Sequence, residues 1–359
     1  MQTLDPRTLN RATLDRQWLA AREPASTADA ITHLVGLQAQ EPLEPYAGLW
    51  SRLQDFRPAN LVELLESRRA VRTLMMRRTL HLLSADDCVA MRPLFHAMLV
   101  QKVRSGLGRR LDGVDLDELA AAGRPLFHQQ PQILNEVARS VADRWPEAAV
   151  RDLGDALSSL VELVQVPPRG VWGREAPAAN TTIEAWLGAE PRPEVSLDEV
   201  VRRYLRAYGP ASSSDVRSWS GLTGLPAVIK RLRPELVSYR DERGRELLDL
   251  ADATLPDPDL PAPPRFLPAF DNAVLGYDDR SRIIDDEHRG LSVMGTRYVL
   301  VDGRVAATWT SAGDADGGIT VAVQPLRRLT RDERRDVQAE AERLATFLAD
   351  GAPGRMLLE

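Results

Sequence analysis

Gln38 and Gln40 flank Ala39 at the end of an apolar helical stretch, directly before Glu41-Pro42. A side-chain amide is uncharged, yet its carbonyl oxygen is an oriented acceptor dipole that can hold a water molecule or face a developing cation. In a continuing helix, amides two positions apart would point about 200° from one another and could not share a substrate. Pro42 pushes Glu41 out of the α region, so the spacing predicts that the helix opens near Gln40. An extended backbone would then return both amides to one side, over one reacting centre. On spacing alone, the commoner fate of two such glutamines is a solvated helix C-terminus.

Few other residues offer chemistry. The sequence contains no G-x-x-x-x-G-K-[ST], no G-x-S-x-G, no H-E-x-x-H and no G-x-G-x-x-G behind a strand. One cysteine, Cys88, and five scattered histidines give no cluster at metal-ligand spacing, so neither metal nor cofactor is expected. The acidic runs Asp86-Asp87 and Asp285-Asp286-Glu287 read as solvated surface. Two of the 46 basic residues are lysines, Lys102 and Lys230, and the rest are arginines. A formal net charge of −6 argues against a uniformly basic nucleic-acid coat. The positive residues do cluster, at Arg68 to Arg78, Lys102 to Arg110, Arg202 to Arg206 and Lys230 to Arg233, which allows a one-sided basic face. At 359 residues and 43% hydrophobic, the chain can build two or three packed units. It has no run of apolar residues long enough to span a bilayer, and MQTLDPRTLNR does not read as a signal peptide, so a cytoplasmic protein is expected.

The elements that must position the glutamines recur in one order. In residues 196–250, Ser196 and Glu199 form a capping pair, SLDEVVRRYLRAY, SSSDVRSW and LPAVIKRL read as three helices, and ELVSYRDERGRELLDL reads as a hairpin. Helix, helix, helix, hairpin is the winged-helix order. Residues 131–173 repeat it, ending in LVQVPPRGVWG as strand, turn and strand. Residues 5–83 repeat it again, ending in a VRTLMMRRTLHLL hairpin with Arg77 and Arg78 near its turn. Ser84 and Asp87 then cap a connecting helix. A proline-rich stretch from Asp252 to Pro268 reads as a linker. Residues 270–323 read as strands, with Asp302-Gly303 as a type I′ turn, and Thr330 and Glu333 start a closing helix. The predicted class is α+β: three tandem winged-helix units in a concave arrangement, then a β-rich segment and a C-terminal helix. The expected divisions are 1–110, 111–195, 196–252 and 253–359.

GLQAQEP, MMRRTLHLLSADD, RGVWGREAP, YLRAYGPASSSDVRSW, LPAFDNAVLGYDDRSRI and VDGRVAATW, in this order, resemble the bacterial tandem winged-helix DNA glycosylases that unhook interstrand crosslinks, the AlkZ-like family. The resemblance covers nearly the whole chain. It implies that a Gln-apolar-Gln motif is catalytic, here Gln38 and Gln40, where another branch has Asp in second place. It implies a monofunctional glycosylase acting on N7-alkylated purines in double-stranded DNA, including azinomycin-type crosslinks, in DNA repair or antibiotic self-resistance. It also implies that a hairpin reads the DNA.

The implied chemistry is physically coherent. N7 alkylation makes the base cationic, so it leaves as a neutral molecule and no strong base is needed. What remains is to place a water at C1′ and to stabilise an oxocarbenium-like sugar. A lysine Schiff base is disfavoured, because neither Lys102 nor Lys230 lies in the motif. A crosslinked base cannot rotate fully into a pocket, so an open, concave site is expected, with Arg77, Arg78, Arg280 and Arg282 among the phosphate contacts. His81 is expected to be a satisfied buried histidine, and Trp50, Trp172, Trp219 and Trp309 to be packing anchors. With three DNA-facing units on one chain, a monomer is expected. A winged-helix transcriptional regulator and a protein-interaction scaffold are the rival readings, and both leave the glutamines without a role.

Overall fold

Caps and turns set the local structure. Asp5 accepts from the Thr8 amide at 2.8 Å and Pro6 opens helix Pro6–Arg16; Ser26 and Asp29 box the start of helix Thr27–His33. The structure is a computed structural model and describes residues 2–313 and 318–358. It is α+β, with three separate sheets.

Helix Thr27–His33 ends earlier than Pro42 would require. Val35 and Gly36 take positive φ, of 54° and 87°, and turn the chain into the short strand Leu37–Gln38. A Cβ on Gly36 would lie 2.5 Å from the Leu83 side chain and 2.9 Å from the Leu82 carbonyl oxygen, so this turn admits only glycine. Extended backbone is therefore observed at Gln38 but not at Gln40, which lies at a bend, and Gly36 rather than Pro42 ends the helix. Helices Glu44–Trp50 and Pro58–Glu66 follow, then strands Ala70–Leu74 and Leu80–Ser84. The turn between those strands places both Arg77 and Arg78 at positive φ. Ser84 caps helix Ala85–Leu107 through the Asp87 amide.

Helices Leu116–Gln129, Leu134–Val141 and Val150–Leu160 lead to strand Leu163–Gln165. Its partner corrects the reading of residues 131–173: VWG is not a strand, and the pairing strand is Ala179–Thr182. Pro167, Pro168 and Gly170 make a loop too wide for a tight hairpin, and in it Gly170 accepts from the Tyr46 hydroxyl at 2.9 Å. Arg72 pairs with Gln165 and Thr73 with Val164, so strands 70–84 and 163–182 fuse into one antiparallel sheet of six strands, edged by Leu37–Gln38 and Gln132–Ile133.

Residues 196–250 form helices Leu197–Tyr208, Ser213–Ser220 and Leu225–Leu232 and the hairpin Leu236–Asp241 with Glu246–Leu250, as their periodicity predicts. The N-terminal strand Thr3–Leu4 adds to this hairpin in parallel. Residues 270–293 are not strands. They form the short helix Asn272–Leu275 and the 3-10 segment Asp286–Val293, because Asp271 and Asp285 sit at N-cap positions and the run lacks a sustained alternation. Strands Arg265–Leu267, Arg297–Val301, Arg304–Gly313, Ile319–Pro325 and Arg355–Leu358 build the third sheet, under helix Arg331–Leu348. Asp302 and Gly303 have φ of 49° and 78°, as a type I′ turn requires. Residues 314–317, within the stretch read as strands, lie outside the described residues. No helix among the described residues is long and apolar enough to cross a membrane.

The tryptophans pack. Trp219 lies 5.0 Å from Tyr204 between ring centroids, Trp172 4.9 Å from Tyr46, and Trp50 5.8 Å from Phe347; Trp309 donates to the Leu267 carbonyl at 2.8 Å.

Candidate active site

Strand Leu37–Gln38 lies antiparallel to Leu80–Ser84, pairing Leu37 with Leu82 and Gln38 with His81. Leu37, Ala39 and Leu82 enter one apolar core with Tyr46 and Leu49. Alternation then turns Gln38 to the opposite face, together with His81, while Gln40 lies at a bend two residues past Gln38. Both glutamines lie along the start of strand Leu80–Ser84.

Each amide is anchored through its oxygen. Gln38 Oε1 accepts from Arg77 Nη2 at 2.7 Å, while Arg77 Nη1 donates to the Trp219 carbonyl at 2.7 Å. Gln40 Oε1 accepts from the Leu80 amide at 3.3 Å. That amide is free for it because the ladder stops after one bond, Ala39 N to Leu80 O at 2.8 Å, and the Ala39 carbonyl is taken by Arg72 Nη2 at 2.8 Å. Both donors face oxygen, which fixes which way each amide points. Each Oε1 keeps a second lone pair.

Around Gln38 the surroundings are cationic and buried, while Gln40 is exposed. Burial lowers the Arg77 guanidinium to about 10, and the nearby charge of Arg280 adds to the effect. His81 is fully buried, and burial followed by the Arg77 charge pushes it down to about 3. Its Nδ1 lies 3.0 Å from the Thr79 carbonyl, which can only accept, so Nδ1 carries the proton; Nε2 is a bare buried acceptor without a protein partner. His81 is therefore buried as expected but only half satisfied. Burial pushes the Cys88 thiol up to about 12, which removes it as a nucleophile. No group of three or more His, Cys, Asp or Glu among the described residues is placed to hold a metal.

The His81 shift gives a stability prediction. The unfolded imidazole binds a proton near its ordinary value of 6.5 and the folded one only near 3, so stability falls as pH drops from 6.5 toward 3. At pH 5 this one group is expected to cost about 2 kcal/mol relative to pH 8. Urea unfolding at both pH values should show a smaller difference in His81→Leu than in the wild type. Equal differences would refute the assignment.

The four arginines expected at phosphates have different fates. Arg77 is bound to Gln38. Arg78 ties the strand turn to helix Val150–Leu160, through Asp155 Oδ1 at 2.8 Å and Ser159 Oγ at 2.8 Å. Arg282 is corrected outright: it is 4% exposed, donates to the Pro210 carbonyl at 3.0 Å and stacks 4.2 Å over Tyr277, so no phosphate can reach it. Arg280 is half-buried against the Ser292 hydroxyl, with no carboxylate within 4 Å among the described residues.

Two clefts lie next to the motif's neighbours, one at Arg77 and one starting at Glu41, and neither glutamine is among their lining residues. One, of about 840 Å³, is lined by Arg77, Lys102, Arg217 and Asp278; neither Lys102 nor Arg217 has a side-chain partner among the described residues. The other, of about 580 Å³, is lined by Glu41, Pro42, Leu43, Gly295 and Thr296. Sequence reading missed Arg72, which frees the Leu80 amide, because it sits in an ordinary strand pattern. It missed Arg217 because nothing local links that residue to Arg77.

Similarity to known proteins extends over most of the chain. The family model described as "DNA glycosylase AlkZ-like" matches residues 31–347. A Streptomyces sahachiroi protein named interstrand DNA cross-link repair glycosylase is 26% identical over 328 residues, covering 82% of this chain and 85% of that protein. The solved structure of Streptomyces sahachiroi DNA glycosylase AlkZ superposes with a TM-score of 0.77 at 22% identity, covering 99% of this chain and 100% of the other, a likeness of fold. A family match over so much of the chain makes this protein a member of the AlkZ-like DNA glycosylases, enzymes that act on DNA.

Proposed function

We propose that the enzyme hydrolyses the N-glycosidic bond of N7-alkylated, cationic purines in duplex DNA, including purines tied into interstrand crosslinks of the azinomycin type, with the amides of Gln38 and Gln40 and no cofactor. The observation that carries this is the placement of two oxygen-anchored amides, Gln38 in strand Leu37–Gln38 and Gln40 just past its end, both beside strand Leu80–Ser84. The name of the Streptomyces relative, a cross-link repair glycosylase, supports the crosslink as substrate.

The anchors divide the roles. Gln38 already accepts from a guanidinium, whose charge makes it a poor partner for a second cation, so it orients the attacking water. Gln40 is bonded only to a neutral amide and faces the oxocarbenium-like sugar. A cationic base leaves neutral, so neither step needs a titrating acid. We read residues 5–84, 131–182 and 196–250 as three winged-helix units. Tandem units on one chain let a monomer hold the duplex without dimer symmetry.

The test uses a duplex with one site-specific N7-methylguanine and a second with an azinomycin-type crosslink. Incubation should convert the first to an alkali-labile abasic strand and separate the strands of the second, leaving undamaged duplex intact. Tight binding with every strand unbroken would overturn the proposal and point to a regulator.

A further inference from the structure

Among the described residues five large apolar side chains are exposed; Leu43 lines the cleft that starts at Glu41, and Val293 and Met294 directly precede its lining residue Gly295. Leu43, 44% exposed, forms one lip. Val293 and Met294, 66% and 76% exposed, end the 3-10 segment Asp286–Val293 just before Gly295, which lines the same cleft. Contiguous exposed apolar surface is where proteins meet partners. The turn after the tip is tightly packed. Gly295 has a φ of 77°, and a Cβ there would lie 3.2 Å from the Phe270 ring, so the turn rests on that ring. Behind the tip, Ser292 Oγ accepts from Arg280 and donates to the Arg289 carbonyl at 2.7 Å.

Charge identifies the occupant. Neither Arg280 nor Arg289 has a carboxylate within 4 Å among the described residues; Arg289 donates to the Asp278 main-chain carbonyl at 3.0 Å. The two guanidiniums repel one another, and Arg280 is in electrostatic range of Arg77, the partner of Gln38. Exposed apolar residues beside guanidiniums without a carboxylate partner suit a base step flanked by phosphates.

We propose that Val293 and Met294 form a wedge that enters the stacked bases of duplex DNA beside the lesion, with Arg280 and Arg289 meeting the backbone phosphates on either side. The proposal rests on the glycosylase reading of Gln38 and Gln40 and adds what a crosslink demands. A base tied to the opposite strand cannot be turned out, so C1′ must be exposed by opening the step around it. An inserted apolar side chain does this by partial unstacking and kinking, and the unbranched Met294 fits an irregular gap.

The experiment places 2-aminopurine next to N7-methylguanine in a short duplex. Wild-type binding should raise its fluorescence, while Val293→Ala/Met294→Ala should leave it near the free-duplex level and excise roughly tenfold more slowly or worse. Met294→Leu should behave as wild type. Arg289→Gln should lower the salt dependence of duplex binding by about one unit of log–log slope. Both wedge side chains are solvent-exposed, so the alanine variants should keep the wild-type urea midpoint. An equal fluorescence rise and equal excision by the double variant would overturn the wedge and leave the patch to a protein partner. The fluorescence signal needs binding alone, so a wild type that unstacks the duplex without excising the base would refute the glycosylase reading instead.

Discussion

Gln40→Ala is expected to lower single-turnover excision of N7-methylguanine by about 100- to 1000-fold, the range seen when one preorganised dipole is removed from a developing charge. Gln38→Ala should cost about 10- to 100-fold, because a water held less firmly can still reach C1′. Duplex affinity should stay within about twofold in both variants, since neither amide is charged and phosphate contacts dominate binding. Gln40→Glu retains an acceptor oxygen at the same reach and should keep activity within roughly tenfold of wild type. The pattern separates a direct role from a structural one. Gln40 Oε1 makes one long hydrogen bond, 3.3 Å to the Leu80 amide, and the side chain is exposed, so its loss should not unfold the strand. Excision by either alanine variant at the wild-type rate would sink the amide mechanism.

The second large effect concerns stability. Arg52 and Asp271 are 1% and 2% exposed and meet in a bidentate pair, Nη1 to Oδ2 at 2.9 Å and Nη2 to Oδ1 at 2.8 Å. Arg52 also donates to the Gly48 carbonyl at 3.0 Å, and Asp271 accepts from the Ala273 amide at 2.8 Å. Arg52→Ala strands a buried carboxylate and is expected to destabilise the protein by about 3–5 kcal/mol in urea unfolding. Arg52→Lys restores the charge without the planar fork and should fall in between. A loss under about 1 kcal/mol for the alanine variant would show that the pair contributes little. The pair also bears on the site. It holds helix Asn272–Leu275 in place, and Asn272 Nδ2 donates at 2.7 Å to the carbonyl of Gly36, where the glutamine strand begins.

Much of the local structure was legible in the residues themselves. The three helices and hairpin of 196–250, the turn at Asp302-Gly303 and the capping box at Thr330 and Glu333 depend on caps, period and φ preferences of neighbouring residues, so a linear reading suffices. Strand partners were less accessible. Ala179–Thr182 replaces the expected VWG strand because a sheet is completed by whichever edge the tertiary packing brings alongside.

The candidate chemistry of the glutamines came from the sequence only through the family resemblance: spacing alone favoured a solvated helix end, and water placement with cation stabilisation is what the resemblance implies for Gln38 and Gln40. Only the tertiary structure decided what the arginines do. A guanidinium reaches far and pairs with whatever acceptor the fold presents, so Arg77 went to Gln38 and Trp219, Arg78 to Asp155, and Arg282 into the interior. The same holds for the direction of each glutamine oxygen. Those bonds join Gln38 to Arg77, 39 residues on, and Arg77 to Trp219, 142 residues on, and separations of that size leave no trace in local spacing.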